Sequence, residues 1–288
     1  MTGRGLLRLA LPSKGRLAEP ATRLLTDAGI QFEASGRSLH AHAHDLDLDL
    51  LLARSDDIPV WTAAGDVDLG ITGQNQIIET GVDVEPLLEL GFGHCRLALA
   101  VPAGAEIASL ADLDGKRVAT SYPRTVAARL AGAGVEASVV TLGGSVELAP
   151  RLHAADAIVD LVSSGDTLRQ NGLVEVETLL ESQAVLIARR DLSPQQQALT
   201  EELRLLMDSV LAARPKRYVM LNARDDSLAE VLALLPGLDA PTVLPLARGD
   251  MHAVHAVVDA VDIVRLLGPL RAAGASSILV LPIEHLIA

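Results

Sequence analysis

Nine residues, Asp160-Leu161-Val162-Ser163-Ser164-Gly165-Asp166-Thr167-Leu168, gather carboxylates, hydroxyls and a glycine into one short stretch. Before them, Ala157-Ile158-Val159 has the composition of a buried parallel strand. After them, Leu168 to Asn171 predicts a helix that Asn171-Gly172 closes. A strand running through Ser-Ser-Gly-x-Thr into a helix leaves backbone N–H groups unpaired beside hydroxyls, an arrangement that seats a phosphate. Asp160, at the strand end, can accept hydrogen bonds from sugar hydroxyls or help hold Mg²⁺. Asp166 lies inside this anion loop and must therefore point outward. The same residues also read as a plain strand–turn–helix with an N-capping Ser or Thr, because short glycine loops are weak signals.

Other chemistry-bearing loops follow the same strand-to-helix pattern. Lys14 and Arg16 flank Gly15 between a strand over Leu6–Pro12 and a helix over Leu17–Ala28. In α/β sheets such loops lie at the carboxyl ends of strands, where ligands bind. Two cations beside accessible backbone suit a polyphosphate, although ordinary surface charges near a helix start look the same. Asp66 to Gly73 predicts a short strand whose Thr72-Gly73 turn leads into a helix from Gln74-Asn75. Ser121-Tyr122-Pro123-Arg124-Thr125 forms a third such loop. His40, His42 and His44 share one strand face, which reads either as a metal site or as a solvated face; no closed ligand set accompanies them. Nothing in the sequence marks a histidine partner that would make Cys95 a nucleophilic thiol.

Composition narrows the partners. The chain has 288 residues, enough for about two domains and a small third. Hydrophobic residues make up 49% and aromatic ones 2%, so the core is aliphatic; 21% charged residues complete a soluble, globular profile. A net charge of −13 argues against nucleic acid or an anionic membrane as partner, so any anionic substrate must meet a local basic cluster. A single cysteine, no apolar leader and no spanning segment point to a cytoplasmic protein.

The elements that must position these loops come in two series. Phe32 to Ala53 predicts two or three strands, in which Asp45, Asp47 and Asp49 alternate with leucines as on a half-exposed sheet. Arg54-Ser55-Asp56-Asp57-Ile58-Pro59 opens a helix with acids at its start, and Val82–Leu90 and Leu97–Val101 continue as strands. Beyond Pro102 come a helical piece over Ala108–Gly115, strands over Lys116–Thr120 and Val135–Thr141, a helix over Gly144–His153 and a strand over Leu173–Leu180, a second α/β unit. Gln183–Ala188 and a long helix over Ser193–Arg214 are expected to return to the first unit. That gives lobes of 1–97 with 183–213 and of 98–182, crossed twice, with a ligand cleft between them. Residues 214–288 read as βαββαβ, a ferredoxin-like module: strands over Tyr218–Asn222, Thr242–Leu246, His252–Val258 and Ile278–Leu281, helices over Leu228–Leu234 and Val261–Ala273.

At this level of detail the chain resembles the long-form ATP phosphoribosyltransferases of histidine biosynthesis. The matching pieces are Leu11-Pro12-Ser13-Lys14-Gly15-Arg16-Leu17, Arg54-x-x-Asp57-Ile58-Pro59, Asp68-Leu69-Gly70-Ile71-Thr72-Gly73, Leu90-Gly91-Phe92-Gly93-x-Cys95-Arg96, Ala119-Thr120-Ser121-Tyr122-Pro123 and Gly144-Ser145-Val146-Glu147. Ala155 to Leu168 resembles the family signature, and Pro236-Gly237-Leu238-x-x-Pro241-Thr242 with Gly274-Ala275 resembles its regulatory tail. Three positions depart: His153 stands at a usual glycine, Asn75 where an acid commonly follows the Thr-Gly turn, and Asn222 where relatives can carry a tail acid.

The resemblance implies an α/β fold with a two-lobed catalytic part like periplasmic binding proteins, plus a ferredoxin-like (ACT-like) tail. It implies transfer of a 5-phosphoribosyl group from phosphoribosyl pyrophosphate to N1 of ATP with Mg²⁺. In that reading Ser163, Ser164, Gly165, Asp166 and Thr167 line the phosphoribosyl pyrophosphate loop and Asp160 holds the ribose hydroxyls. Lys14 and Arg16 offset the leaving charge, and with Arg54, Thr72, Gly73 and Tyr122 they meet the nucleotide or pyrophosphate; for Tyr122, plain loop packing is the alternative. Cys95 and Arg96 look like hinge residues. L-Histidine as inhibitor is expected at Asn222, Thr242, Val257 and Ser277, in a homo-oligomer that is a dimer or hexamer. The competing classes are a two-lobed binding protein and a ligand sensor, neither of which releases pyrophosphate.

Overall fold

A computed structural model describes residues 7–32, 39–43, 46–235, 240–247 and 249–287. His44, Asp45 and the Pro236-Gly237-Leu238 motif lie outside the described residues, as does Leu6. Among the described residues, those up to Arg23 and from Ile30 to Glu201 form one compact unit; Leu24–Gly29 and those from Glu202 onward form another. No described helix is long and apolar enough to cross a membrane.

The first unit opens with β1 (Leu7–Pro12), α1 (Ala18–Asp27), β2 (His40–Ala43), β3 (Leu48–Ala53), α2 (Ile58–Ala64), β4 (Leu69–Gly73), α3 (Gln74–Thr80) and β5 (Glu85–Glu89). Next come β6 (Cys95–Pro102), β7 (Arg117–Thr120), α4 (Pro123–Ala133), β8 (Ser138–Thr141), β9 (Ala157–Val162), α5 (Asp166–Gln170) and β10 (Leu173–Ser182), then β11 (Ala184–Ala188) and α6 (Pro194–Ala213), which runs on into the second unit. Strands β2-β3-β1-β4-β11-β5 make one sheet and β10-β6-β9-β7-β8 another. The chain crosses between these sheets twice, after β5 and before β11. In the first sheet β3, β1 and β4 are parallel; in the second β8, β7 and β9 are parallel. Parallel neighbours end on the same side, so the loops after β1, β3 and β4 share one edge and those after β7, β8 and β9 another.

Apolar runs become strands because both faces are covered. On β6, β7 and β9, Leu97, Leu99, Val118 and Val159 pack with Val126 and Leu130 of α4. Their alternates Ala98, Ala100, Ala119 and Ile158 pack with Val146 and Leu168 on the other face. In the first sheet, α2 lies so close on β4 that a Cβ at Gly70 would collide with Ile58 and crowd Thr62. Only glycine permits that approach.

Three expectations are corrected. Gly144–His153 is not a helix but a 3₁₀ turn at Val146–Leu148 within irregular chain. Ser145 and His153 adopt positive φ of 51° and 55°, and Pro150 interrupts the segment. The left-handed backbone at His153 is one that glycine adopts without strain. Second, Asp49 does not lie on a half-exposed face: β3 is an interior strand, and Asp49 is buried. His42 Nδ1 approaches its Oδ1 at 2.8 Å and His40 Nε2 at 3.5 Å. His40 and His42 thus face a buried carboxylate, and among the described residues no group of three or more acidic, His or Cys side chains is arranged to hold a metal. Third, Ala108–Gly115 supplies only a 3₁₀ turn, Leu110–Leu113, capped reciprocally by Ser109 and Asp112.

The second unit carries β12 (Lys216–Arg224), α7 (Leu228–Leu234), β13 (Thr242–Pro245), β14 (Met251–Asp259), α8 (Ile263–Ala272) and β15 (Ser276–Pro282). Its sheet order is β13-β14-β12-β15, antiparallel throughout, the ferredoxin-like arrangement. Val219, Leu221, Val254, Ala256 and Val258 turn inward to Val231 and Leu270 of the helices.

Candidate active site

The loop after β9 builds the centre of the site. Asp160 lies on the strand, and Ser163, Ser164 and Gly165 carry the chain to α5. Gly165 sits at φ +78°, a conformation that an L side chain adopts only with strain. Asp160 to Leu168, joined by Glu147, line a cavity of about 260 Å³. Asp160 Oδ1 accepts from the Leu161 N–H at 2.8 Å and from the Ser121 hydroxyl at 3.4 Å. Burial pushes the Asp160 carboxyl above its ordinary value; the Leu161 N–H works against this and the Glu147 charge adds to it. A partly buried carboxylate with a second acid nearby is an acceptor for hydroxyl groups or a ligand for a hydrated cation.

Asp166 is exposed, although it also lines the cavity. It turns to Ser164 Oγ at 2.5 Å and to Arg169, and these two partners hold it below the usual carboxylate range. Its charge is thereby partly neutralised at the mouth of the loop. Thr167 is exposed, and its carbonyl accepts from Asn171 at 2.9 Å.

The first sheet reaches this loop through Arg16, whose guanidinium donates to Ser163 Oγ. Lys14 is exposed on the same turn, with Gly15 at φ +80° between the two cations. Arg96, on β6, makes paired hydrogen bonds of 2.5 Å to Glu175 and a third of 3.2 Å to the Ser163 carbonyl. It ties the loop to Glu175 of β10.

The remaining sequence candidates are distributed differently. Arg54 pairs with Asp56 through two hydrogen bonds of 3.1 Å, both exposed. Thr72 is fully buried, and its hydroxyl donates to the Ser55 carbonyl at 2.7 Å, tying the loop after β3 to β4. Gly73 leaves no room for a Cβ beside Asn75. Asn75 is buried: its Oδ1 accepts from Ser182 at 2.9 Å, and its amide donates to the Tyr122 hydroxyl at 3.3 Å. Tyr122 thus sits where the sheets meet, its hydroxyl pushed up to about 12 by burial and then by Asp160, so it stays neutral at ordinary pH. Beside it a larger cavity, about 480 Å³, is lined by Gln74, Glu89, Cys95, Arg96, Ser163 and Ser182 among others.

Sequence reasoning gave no role to Glu147, Ser121, Ser182 or Glu175. Glu147 stands in the Gly144–Glu147 match and Ser121 in the Ala119–Pro123 match, and those positions were the available signal; Ser182 and Glu175 are brought in only by folding.

Of the tail candidates, Asn222 and Val257 alternate with inward residues and so share the sheet face away from the helices. Thr242 pairs with His255 on that face, beside the Tyr218 hydroxyl, which is 2.9 Å from His255 Nδ1. Ser277 occupies a bulge in β15 at φ +49°, next to Ser276, which donates to the Asn222 carbonyl at 3.4 Å.

Comparison with known proteins decides the family. The family model described as ATP phosphoribosyltransferase matches residues 54–209, and that of the family's C-terminal domain matches 213–285. The chain belongs to the ATP phosphoribosyltransferase family. It has the family's long form, with a C-terminal domain after the catalytic part. Curated members similar to it include the ATP phosphoribosyltransferase of Maricaulis maris, 46% identical over the whole of both chains. That of Bacteroides fragilis is 43% identical over 98% of this chain and 100% of its own. Among solved structures, the ATP phosphoribosyl transferase (HisG:HisZ) complex from Thermotoga maritima aligns with TM-score 0.63 at 26% identity, covering 71% of this chain and 97% of that one. A periplasmic sulfonate-binding protein from Methylobacillus flagellatus KT shares the fold, with TM-score 0.50 at 17% identity over 72% of this chain and 68% of its own. The α/β, binding-protein-like architecture of this family member follows from both.

Proposed function

We propose that this chain transfers the 5-phosphoribosyl group of phosphoribosyl pyrophosphate to N1 of ATP and releases pyrophosphate, the first step of histidine biosynthesis. The observation that carries the reading is that Asp160 and the Ser163–Thr167 loop line one cavity, with Arg16 donating to Ser163 of that loop, in a chain of this family. Ser164, Gly165 and Thr167 receive the 5-phosphate. Asp160 accepts from the ribose hydroxyls and, partly buried, opposes the positive charge that grows on the sugar as pyrophosphate departs. N1 of adenine already carries a lone pair, so no strong general base is needed. Arg16 and Lys14 stabilise the leaving pyrophosphate, and Arg54, Thr72, Gly73 and Tyr122 position the nucleotide or pyrophosphate, some of them through the loops they hold. Positioning two polyanions and excluding water supplies the rest of the rate.

Mg²⁺ fits the donors present. Asp160 and Glu147 offer carboxylate oxygens at one cavity, which suits an ion held mainly by substrate phosphates and water. When bound it neutralises charge on the pyrophosphate.

The catalytic part divides into lobes of 1–97 with 183–213 and of 98–182, and residues 214–288 regulate it. The tail takes L-histidine at Asn222, Thr242, Val257 and Ser277 and lowers activity. The protein works in the cytoplasm as a homo-oligomer, a dimer or a hexamer. Pyrophosphate release with ATP, phosphoribosyl pyrophosphate and Mg²⁺, with and without L-histidine, tests the whole reading. Release suppressed by histidine supports both halves, release indifferent to it rejects the effector assignment, and ATP binding without release favours the binding-protein class.

A further inference from the structure

Helices α3 and α4 belong to different sheets and meet end to end. Glu79, in the last turn of α3, accepts from the Arg124 N–H at 2.9 Å, the Thr125 N–H at 2.9 Å and the Thr125 hydroxyl at 2.7 Å. These are the first-turn donors of α4, which no intrahelical carbonyl can reach. Pro123 occupies the preceding position and has no N–H, and Tyr122, at the N-cap, makes no side-chain cap hydrogen bond. Glu79 therefore satisfies the helix start with a charge that the helix dipole favours.

The contact is reciprocal. The Arg124 guanidinium lies against Gly81, the left-handed residue that closes α3, so closely that a Cβ there would collide with it. A cation thus covers the carbonyl end of α3 while an anion covers the amide end of α4. Just upstream of this joint, Ser121 donates to Asp160 and Tyr122 is held by Asn75.

We propose that Glu79 is a positioning residue: by latching α4 to α3 it sets Ser121 and Tyr122 against Asp160, so that the cleft is preset on this side. The proposal rests on the phosphoribosyl-transfer reading for its kinetic part only. The test compares Glu79→Ala and Glu79→Gln with the parent, full-length and assembled, by hydrogen exchange of peptides spanning Ser121–Leu130 and by steady-state kinetics.

In Glu79→Ala the two amides should lose protection, and kcat should fall about tenfold or more while KM for phosphoribosyl pyrophosphate changes less than about threefold. Glu79→Gln keeps one acceptor oxygen and should recover part of both; if the alanine variant does not fold, this near-isosteric one decides alone. Unchanged exchange overturns the latch. Lost protection with full kcat reduces Glu79 to a helix cap and overturns its positioning role. A parent that releases no pyrophosphate overturns the transfer reading and the kinetic role with it, while exchange still decides the latch.

Discussion

Arg16 donates to the hydroxyl of Ser163, joining the loop after β1 to the loop after β9 across 147 positions of chain. Both residues are exposed, so the contact itself adds little stability. On the proposed reading its consequence is directional: a forked cation is held beside a loop of hydroxyls and amides, so that a polyanion would meet it already aimed. Changing Arg16 to Lys keeps the charge and removes the fork. We expect kcat/KM for phosphoribosyl pyrophosphate to fall about tenfold or more, for a loss of about 1.5–3 kcal/mol. Initial-rate assays of pyrophosphate release check this, and an unchanged ratio removes Arg16 from the site.

Asp160→Asn preserves the shape of the side chain and its hydrogen bond from Leu161. Turnover should drop about 10²-fold or more, because a fixed charge facing the developing cation is lost. Thermal unfolding should be level with or above the parent, since burial already penalises the charged form. Parent-like kinetics would withdraw the assignment.

The Arg96–Glu175 pair gives a pH prediction. Hydrogen bonds from Arg96 hold Glu175 below its ordinary value. A folded pKa below the unfolded one means that the pair's contribution is present above the unfolded value, about 4.3 for a free glutamate. It is lost as pH falls through the folded value. Glu175→Gln should cost about 1 kcal/mol at neutral pH, and its stability should converge with the parent's in acid. Denaturant titrations at a series of pH values read this directly. A gap that persists below both pKa values would show that the pair is not its source.

Asp68 is buried and receives the Arg8 N–H at 2.8 Å, Arg189 Nε at 2.9 Å and Gln196 Nε2 at 3.1 Å. Leaving Arg189 without that charge should destabilise Asp68→Asn by about 3 kcal/mol, seen as a lower melting temperature. Asp68 precedes β4, whereas Thr72-Gly73 ends it. Activity per folded molecule should therefore hold; a large loss of kcat in fully folded protein would tie this network to the site.

Much was legible in local pattern. The run from Ala157 through Gly165 to Thr167 specifies strand, left-handed turn and helix because φ, hydrogen-bonding capacity and apolar period are local properties. Likewise the βαββαβ order of the tail follows from alternating hydrophobicity along each strand. Where pattern misled, tertiary context had overruled it. Asp49 alternates with leucines like a surface strand, yet β2 and β1 flank it on both sides. The pattern of Gly144–His153 suggests a helix, but two positive-φ non-glycine residues and Pro150 hold it irregular, and Glu147 lies at the Asp160 cavity.

What the sequence could not contain is the set of partners drawn from distant segments. Thr72 and Tyr122 sit in loops that look like ligand loops, and only the fold turns the Thr72 hydroxyl to Ser55 and sets the Tyr122 hydroxyl beside Asn75. Glu79 has no motif, and its meaning arises only where α4 begins against it. Propensity and period act over a few residues and fix the elements. Hydrogen-bond partners across two sheets are fixed by packing, so only the tertiary structure decided which side chains line the cavities and which tie the loops together.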